Sequence, residues 1–390
     1  MTPAARISAA IEILDAFLAD VPAEKALTTW ARRSRFAGSK DRAAIRDHVF
    51  DAVRNLNRFA ALGGAHTGRG IMIGALKSQN IDPTTLFTGE GHAPPPLEEG
   101  ENTESKSTEA IDLPTWLVPV FKDSLGAEFD DVLDALGKRA PVFLRVNTRK
   151  TTLTAAQESL SSDGVKTRPC QEVGTSLEVL ENPRRVAQSE AYQSGLVELQ
   201  DQHSQALCRD VELWNGARVL DYCAGGGGKS LALGARADID LVAHDRDFKR
   251  MSDLTLRAER AGMPVRVVDG QALGNEASFD VVICDVPCSG SGAWRRAPEG
   301  KWRLTPERFL EIQGWQRDIL KAARHYVKPG GMLYYMTCSL LQAENQAQID
   351  DAIAKFPDLS VVNMRNYPLS EAGDGFFIAA LKMADELPVI

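Results

Sequence analysis

Two cysteines in this chain each follow a short apolar run, and thiols in that position can act as nucleophiles. The run Phe279–Cys284 predicts a buried strand, which ends at Asp285 shortly before Cys288. The run Met332–Ser339 predicts a second strand that leads into Cys338. In an open α/β sheet, ligands and chemistry lie at the carboxyl ends of the strands. Both thiols are therefore candidates for one site.

A thiol beside an acidic residue suits the methylation of a pyrimidine ring. Carbon 5 of the ring is a poor nucleophile, but a thiolate that adds to carbon 6 turns the ring into an enamine that can attack a methyl donor. Cys338 and Cys288 fit a nucleophile and a partner that releases the product. Asp285 can hydrogen-bond the cytosine edge and stabilise the developing enamine.

Two other interpretations of these cysteines stay open from the residues alone. Free cysteine is among the most buried residue types, so both thiols could simply belong to the core. Cys284 and Cys288, joined by Cys223 and Cys338, could instead hold a metal. Cys284 falls within a predicted strand, however, and no clustered histidine supports a zinc site. We expect catalytic thiols and no bound metal.

The glycine-rich stretch Leu220–Ser230, with the sequence LDYCAGGGGKS, predicts a cofactor loop. A P-loop would need a glycine where Cys223 stands, and the G-x-G-x-x-G dinucleotide fingerprint fails from either possible start. The remaining interpretation is a loop that binds S-adenosylmethionine, in which glycines let the backbone approach the methionine end. The candidate residues are Cys223, Ala224, Gly225, Gly226, Gly227 and Gly228.

Strands and helices alternate from Ala217 onward, which predicts a doubly wound α/β sheet. Its second and third strands end in Asp245 and Asp269. A carboxylate at the first position can accept both ribose hydroxyls, and one at the second can accept an adenine amino proton. An aspartate in such a place can also cap a helix. The ordered set Asp245, Asp269 and Asp285 after a glycine loop favours the cofactor interpretation.

The remaining patterns divide the 390 residues into domains. Helical spacing, as in Ile7, Ile11, Leu14 and Leu18, predicts an all-α N-terminal domain, in which Ser39 could cap a second helix. The predicted bounds are a helical domain at 1–85, an acidic Pro-rich linker at 86–111, a helical and α+β subdomain at 112–205, and the doubly wound domain at 206–385.

Composition limits the partners and the compartment. The net charge of −8 argues weakly against nucleic acid, but basic residues outnumber acidic ones in Lys138–Arg185 and Trp294–Arg308, so local patches could bind a polyanion. No run of 18 apolar residues is present, so we expect no membrane span. The N-terminus is typical of a helix and not of a signal peptide. Six irregularly spaced cysteines argue against a disulfide framework, and we expect a cytoplasmic monomer.

The motifs around both thiols resemble the RsmB/NOP/Sun family of RNA cytosine-5 methyltransferases. The closest stretches are DVPCSGSG at 285–292 and YMTCSLLQAEN at 335–345, together with FLRVNTRK, GLVELQDQHSQ, VLDYCAGGGGKS and DGFFIAALK. The resemblance covers roughly Leu113 to the C-terminus. In addition, Ala37–Leu56 resembles the NusB-like domain of the bacterial 16S rRNA enzymes.

The resemblance implies roles for individual residues. Cys338 resembles the family's nucleophile, Cys288 the cysteine that assists product release, and Lys229 the lysine of the cofactor loop. Asp245, Asp269 and Asp285 resemble the acids that contact the cofactor and the base. The implied cofactor is S-adenosylmethionine, and the implied partner is RNA.

The chain departs from the family pattern in two places. Gly225 and Gly226 replace the usual Ala-Pro, which removes a fixed φ and makes the loop costlier to order. This departure puts cofactor affinity in question more than cofactor identity. The stretch RRAPEGKW at 295–302 replaces an Arg-His-Pro type sequence, which bears on RNA contacts.

The sequence therefore predicts an S-adenosylmethionine-dependent methyltransferase that forms 5-methylcytosine in 16S rRNA. One alternative is a non-catalytic RNA-binding or ribosome assembly factor that retains the fold, and another is 5-methylcytosine formation in a different RNA such as tRNA. DNA methylation is disfavoured because that chemistry takes its nucleophile from a Pro-Cys pair, which would make Cys338 redundant.

Overall fold

A computed structural model of the chain describes residues 1–101 and 110–385. The chain forms two compact units. One comprises Met1–Arg139 and Trp294–Leu304, and the other comprises Ala140–Ala293 and Thr305–Ile390. The first is helical, and the second holds two sheets.

The helical unit is built on amphipathic helices that bury one shared core. Thr2 caps the first helix by accepting a hydrogen bond from the Ala5 N–H, and a proline occupies its first turn. Ile7 and Leu14 of the predicted stripe are fully buried, whereas Ile11 and Leu18 lie half-buried at its edge. The helices are α1 Pro3–Leu18, α2 Ala23–Arg33, α3 Ser39–Arg54, α4 Leu56–Gly63, α5 Gly68–Ser78, α6 Leu117–Leu125 and α7 Phe129–Gly137. The helix α3 begins at Ser39 itself, with Gly38 at the capping position.

Part of the predicted linker packs onto this helical core. Phe87 is buried in it and Leu97 packs against it. Arg69 forms an ion pair with Glu101 at 2.7 Å and donates to the carbonyl of Pro96 at 2.9 Å. Composition predicts a polar, Pro-rich segment but not these contacts, because they depend on where α5 places Arg69. Residues 102–109 of the same predicted linker lie outside the described residues.

The segment Trp294–Leu304 is also held within the helical unit, and it includes a short helix at Glu299–Arg303. Lys301 Nζ donates to the Arg54 carbonyl at 2.7 Å, and Arg54 Nε donates to the Arg295 carbonyl at 2.7 Å. Arg295 and Lys301 are only 3% and 1% exposed. Burial lowers the pKa of Lys301 to about 8. The interpretation of this stretch as an open basic patch is therefore wrong for these two residues, because they serve internal packing.

The second unit begins with a small antiparallel sheet in the order β2-β3-β1-β4. Its strands are β1 Val142–Val146, β2 Lys166–Pro169, β3 Ser176–Glu181 and β4 Val197–Leu199, and its helices are α8 Leu153–Ser162 and α9 Glu190–Gln193. The apolar faces of β1, β3 and α8 bury one core. Helix α10 Gln202–Asp210 follows, capped by Asp201, which accepts a hydrogen bond from the His203 N–H.

The large sheet has seven strands in the order β10-β11-β9-β8-β5-β6-β7. They are β5 Arg218–Asp221, β6 Asp240–His244, β7 Arg266–Val268, β8 Phe279–Asp285, β9 Val327–Thr337, β10 Leu359–Tyr367 and β11 Phe376–Met383. The helices are α11 Gly228–Gly234, α12 Leu254–Ala261, α13 Gly270–Leu273, α14 Pro306–Ala323 and α15 Gln346–Lys355.

The prediction of a doubly wound α/β sheet is confirmed. Strands β5 to β9 pair in parallel, and β11 and β10 add an antiparallel edge. The central strands are rich in Val and Ile because both of their faces are covered. Strand β9 begins at Val327, five residues before the predicted start. After β6 the chain forms a 3-10 turn at Phe248–Met251, followed by α12.

Among residues 1–101 and 110–385, no helix combines the length and the apolar content that a membrane crossing requires.

Candidate active site

The register of β8 and β9 brings the two thiols together. These strands run in parallel with Asp285 opposite Met336, and the ladder continues from the Val286 N–H to the Met336 carbonyl at 3.0 Å. Beyond this point both segments leave the same edge of the sheet. Cys288 comes three residues after the end of β8, and Cys338 comes directly after the end of β9. Cys288 Sγ and Cys338 Sγ lie 3.4 Å apart, within hydrogen-bond distance for sulfur, and both residues are half-buried.

The contact between the two sulfur atoms bears on the proton affinity of Cys288. The hydrogen bond to Cys338, followed by burial, raises the pKa of the Cys288 thiol well above its usual range. Cys288 therefore keeps its proton at neutral pH and can donate its S–H to the sulfur of Cys338. A thiolate at Cys338 would be stabilised by that donation, which is the state a sulfur nucleophile needs.

A buried glutamate, Glu344, contacts both thiol loops, which are the segments after β8 and β9 that carry Cys288 and Cys338. Glu344 is fully buried, and its carboxylate accepts hydrogen bonds from the N–H and the hydroxyl of Ser289 and from the hydroxyl of Ser339. Gln316 donates to the same carboxylate at 3.2 Å and to the Pro287 carbonyl at 2.9 Å. Burial raises the pKa of Glu344 against these hydrogen bonds.

A sequence signal for this network exists, although it is weak. A serine follows each thiol, at Ser289 and Ser339, so the chain repeats a Cys-Ser pair at both strand ends. Ser291 joins the two loops, with its Oγ 3.1 Å from that of Ser339 and accepting from the Leu340 N–H at 2.8 Å. The repeat indicates two similar loops, but only the fold shows that they share one carboxylate.

Lys229 and Asp285 form an ion pair at the same edge. Lys229 Nζ donates to Asp285 Oδ2 at 2.6 Å, and the side chains are 10% and 36% exposed. Burial is the largest single effect and opposes the charge on Lys229, but the attraction of Asp285 together with that of Cys208 and Cys338 raises the pKa of the lysine. Cys338 also interacts electrostatically with this lysine. The ammonium group thus lies where it can favour negative charge on Asp285 and on the sulfur.

The glycine loop, defined here as Gly225–Gly228, turns between β5 and α11. Gly225 and Gly227 have φ of +49° and +78°, a region that favours glycine. A Cβ on Gly227 would lie 2.0 Å from Cδ1 of Leu254, so this position also needs glycine for space. Gly226 and Gly228 have no such φ. The loop is therefore tightly turned, with Gly225 and Gly227 buried and Gly226 exposed.

The three predicted acidic strand ends differ in their surroundings. Asp245 is buried, and its carboxylate accepts from the N–H groups of Gly225 and Asp247 and pairs with Arg250, each at 3.0 Å. Asp269 is exposed and caps α13 by accepting from Ala272 N–H at 2.8 Å. Asp269 therefore fits the alternative prediction of a helix-capping aspartate. Only one of its two carboxylate oxygens takes part in that hydrogen bond.

The donors and acceptors of this edge fit S-adenosylmethionine. That molecule presents an ammonium group, a ribose diol and an adenine amine, all of which donate hydrogen bonds, and the edge presents carboxylates. Asp221 is buried, and its Oδ1 has no hydrogen-bond partner among the described residues, while its Oδ2 accepts from Ser230 Oγ at 2.6 Å. Burial raises the pKa of Asp221 to about 7, although the hydrogen bond from Ser230 acts in the opposite direction.

The other cysteines differ in their burial. Cys284 is completely buried within β8, and burial raises the pKa of both Cys284 and Cys223. In the part of the chain that the structure describes, no group of three or more His, Cys, Asp or Glu side chains could hold a metal ion. Cys170 lies half-buried at the end of β2, outside this edge of the large sheet.

Comparison with known proteins gives two family matches. A family model for the 16S rRNA methyltransferase RsmB/F matches residues 210–382. A second model, for the ferredoxin-like domain of RsmF/B-like methyltransferases, matches residues 113–187. The ribosomal RNA small subunit methyltransferase B of Salmonella arizonae is 32% identical over 282 residues, which are 69% of this chain and 66% of that protein. The match thus spans just under two thirds of the relative's length.

Solved structures share the fold. The crystal structure of PH0851 has a TM-score of 0.75 at 22% identity, over 98% of this chain and 99% of the other. The crystal structure of NSun6 from Pyrococcus horikoshii with SFG has a TM-score of 0.62 at 17% identity, over 70% of this chain and 99% of the other. At these identities the likeness concerns the arrangement of strands and helices.

Proposed function

Because this chain belongs to the RsmB/F family of 16S rRNA methyltransferases, we propose that it transfers a methyl group from S-adenosylmethionine to carbon 5 of a cytosine in 16S rRNA. The observation that carries the proposal is the 3.4 Å contact between Cys288 Sγ and Cys338 Sγ at the ends of neighbouring parallel strands. Methylation at nitrogen or oxygen needs no sulfur nucleophile, whereas methylation at carbon 5 does.

Cys338 acts as the nucleophile. Its sulfur forms a bond to carbon 6, and the electron pair released into the ring makes carbon 5 reactive toward an electrophile. S-adenosylmethionine supplies the methyl group as that electrophile. Water or another base at the site then takes the proton from carbon 5. The electron pair of that C–H bond re-forms the C5–C6 double bond, and the electron pair of the S–C6 bond leaves with the Cys338 sulfur as a thiolate. The raised pKa of Cys288 keeps a proton next to the Cys338 sulfur, where it stabilises the thiolate before attack and after release.

Asp285 and Lys229 orient the base. The Asp285 carboxylate can accept from the exocyclic amine of cytosine, and its ion pair with Lys229 at 2.6 Å fixes it in place. Because the pair lies in a largely buried position, its electrostatic effect on the ring is stronger than it would be in water.

The cofactor is held by the glycine loop and by the acids that follow it. The backbone of Cys223–Gly228 approaches the methionine portion, Asp245 accepts from the ribose and Asp269 accepts from the adenine amine. Asp245 is already turned toward this loop, since it accepts from the Gly225 N–H. Arg250 must then share or release this carboxylate when the ribose is bound.

The RNA is held by the parts that precede the large sheet. We assign this task to the helical domain and to the small antiparallel sheet. Its edge strand β2 carries the exposed Lys166 and Arg168, and the 3-10 turn after β3 carries the exposed Arg184 and Arg185. A stacked cytosine cannot reach a strand-end thiol, so the target is single-stranded or flipped out of its helix. We also propose that the chain is a monomer and that its domains have the bounds predicted from the sequence.

The test is methyl transfer to unmethylated 16S rRNA and to the small ribosomal particle. The purified chain is incubated with methyl-labelled S-adenosylmethionine, and the modified position is located by bisulfite sequencing. We expect label in 16S rRNA and one cytosine that resists conversion. Label in tRNA alone would favour the other RNA substrate, and label that leaves every cytosine convertible would refute carbon-5 chemistry.

A non-catalytic assembly factor is the rival function, and the altered glycine loop is the observation that favours it. Titration calorimetry separates the two functions. Saturable binding of S-adenosylmethionine supports the enzyme, and its absence together with intact RNA binding supports the rival.

A further inference from the structure

The glycine loop has little means of holding its own shape. Four successive glycines lose more backbone freedom on ordering than any other tetrapeptide, and the loop contains no proline to limit that loss. Gly226 is exposed to solvent. Contacts from outside the loop must therefore supply its order.

One such contact runs through Arg257 of α12. Its Nη1 donates to the Gly226 carbonyl, and its Nη2 donates to Glu198 Oε2 at 2.9 Å. Glu198 lies on β4 of the small sheet, and its side chain is only 3% exposed. Arg257 thus connects the middle of the glycine loop to a buried carboxylate of the neighbouring sheet.

A second contact runs through Arg145 of β1. Its Nη1 donates to the Gly228 carbonyl at 2.9 Å and also to Gln200, whose own amide approaches the same carbonyl at 3.4 Å. Arg145 is 4% exposed, so its charge is kept at the cost of desolvation. A buried cation aimed at a backbone carbonyl serves to fix that carbonyl.

We propose that Arg257 and Arg145 are positioning residues that fix the glycine loop in the conformation that binds S-adenosylmethionine. Their anchors, Glu198 and Gln200, lie on or directly after β4, so the small sheet sets the affinity of the large sheet's cofactor site. The inference rests on the proposed cofactor, and it goes beyond it by naming residues that contact the loop rather than the ligand.

The chain offers a matched control for Arg257. Arg260, one turn further along α12, donates to the other oxygen of Glu198 and stacks on Tyr192, with no bond to the glycine loop among the described residues. Loss of either arginine removes one partner of the same carboxylate. Only loss of Arg257 removes the bond to the Gly226 carbonyl.

Titration of the full-length chain with S-adenosylmethionine compares Arg257→Ala with Arg260→Ala. We expect the Kd to rise about tenfold in Arg257→Ala, which corresponds to the loss of one hydrogen bond to a charged group, and to stay within about twofold in Arg260→Ala. Amide exchange at Gly225–Gly228 should quicken in the first variant and not in the second. If Arg257→Ala does not fold, Arg257→Lys replaces it, because lysine can keep the Glu198 ion pair without spanning both partners.

A rescue variant separates positioning from a general structural role. Gly226 lacks the left-handed φ of its neighbours, so alanine fits there and restricts the loop. A Cβ at this position would lie 3.2 Å from Arg257 Nη1, and that crowding disappears when Arg257 is also removed. We therefore expect Arg257→Ala with Gly226→Ala to recover part of the lost affinity.

The outcomes distinguish this inference from the proposed function. Equal Kd values in Arg257→Ala and Arg260→Ala, with the unaltered chain still binding, overturn the inference and leave the cofactor assignment standing. Failure of the unaltered chain to bind S-adenosylmethionine overturns the cofactor assignment itself.

Discussion

The thiol loops and the glycine loop lie at the same edge of one sheet but are held in opposite ways. Side chains hold the thiol loops, since hydroxyl groups from both converge on the carboxylate of Glu344. The glycine loop is held by its carbonyl groups, which accept from Arg257 and Arg145. The reactive side chains are thus held by a carboxylate at their own edge of the large sheet. The backbone of the glycine loop is held by arginines that are anchored on the small sheet.

This comparison predicts separable failures. Changes around the thiols should slow methyl transfer without changing the affinity for S-adenosylmethionine. Changes around the glycine loop should weaken that affinity and leave the thiol pair intact.

The largest effect is expected for Cys338→Ala. Removal of the nucleophile should lower the rate of methyl transfer at least about a thousandfold, roughly 4 kcal/mol of transition-state free energy, because no other group can add to carbon 6. Binding of S-adenosylmethionine should be unchanged. Cys170→Ala, which alters a half-buried thiol outside the site, is the control and should retain full activity. Substantial residual activity in Cys338→Ala would show that another group attacks the ring.

The next prediction concerns Asp221, which ends β5 before the glycine loop, and the pH dependence of the free energy of unfolding. The pKa of Asp221 is raised to about 7 in the folded chain from an ordinary value of 3.8, so its protonated form favours folding. The stability that it contributes is present below pH 4 and is lost as the pH rises through 7. Over that range the loss reaches about 4 kcal/mol at most.

Asp221→Asn keeps an acceptor for Ser230 and cannot ionise. We expect its unfolding free energy, measured in urea between pH 4 and 8, to fall less steeply with rising pH than that of the unaltered chain. Identical slopes in the two proteins would contradict the buried, proton-retaining state of Asp221.

A loss of about 3 kcal/mol in unfolding free energy is expected for Glu344→Ala, because the buried donors of Ser289, Ser339 and Gln316 lose their acceptor. Urea unfolding measures the loss, with the exposed Glu371→Ala as a control near zero. The folded fraction should transfer methyl groups slowly but bind S-adenosylmethionine normally. Weakened cofactor binding would break the separation between the two regions.

The smallest effect is expected for Gly225→Ala, compared with Gly228→Ala. Alanine at a φ of +49° costs about 1 kcal/mol, and its Cβ would lie 3.2 Å from Arg250 Nη2. A Cβ on Gly228 would meet nothing within 4 Å. Thermal unfolding without cofactor should show a lower Tm for Gly225→Ala only. Equal Tm values would mean that the loop is not held as described.

Much of the large sheet could be predicted because parallel strands buried on both faces are short apolar runs, as in Phe279–Asp285. The family resemblance predicted from the cysteine motifs is also confirmed. The placement of both thiols after strand ends followed from those runs. Their 3.4 Å separation did not, because it depends on the register of β8 against β9.

The supporting residues escaped sequence analysis for a physical reason. Glu344 is 55 residues from Ser289, and Arg257 is 31 residues from Gly226, so the sequence does not show either pairing; the repeated Cys-Ser pair indicates two similar loops but not their shared acceptor. Buried charges such as Arg295 and Lys301 are equally invisible in composition, since a lysine in a core has the same sequence signature as one in solvent. Periodicity reports burial of apolar faces, and it does not report which polar groups meet across them.

The most direct test of the thiol mechanism is a denaturing gel of Cys288→Ala incubated with target RNA and S-adenosylmethionine. Without Cys288 to assist release, the bond between Cys338 and carbon 6 should persist, so a protein–RNA band that survives denaturation is predicted. The double variant Cys288→Ala with Cys338→Ala should show no such band. Absence of the band in Cys288→Ala, or its persistence in the double variant, would contradict the assignment of Cys338 as the nucleophile.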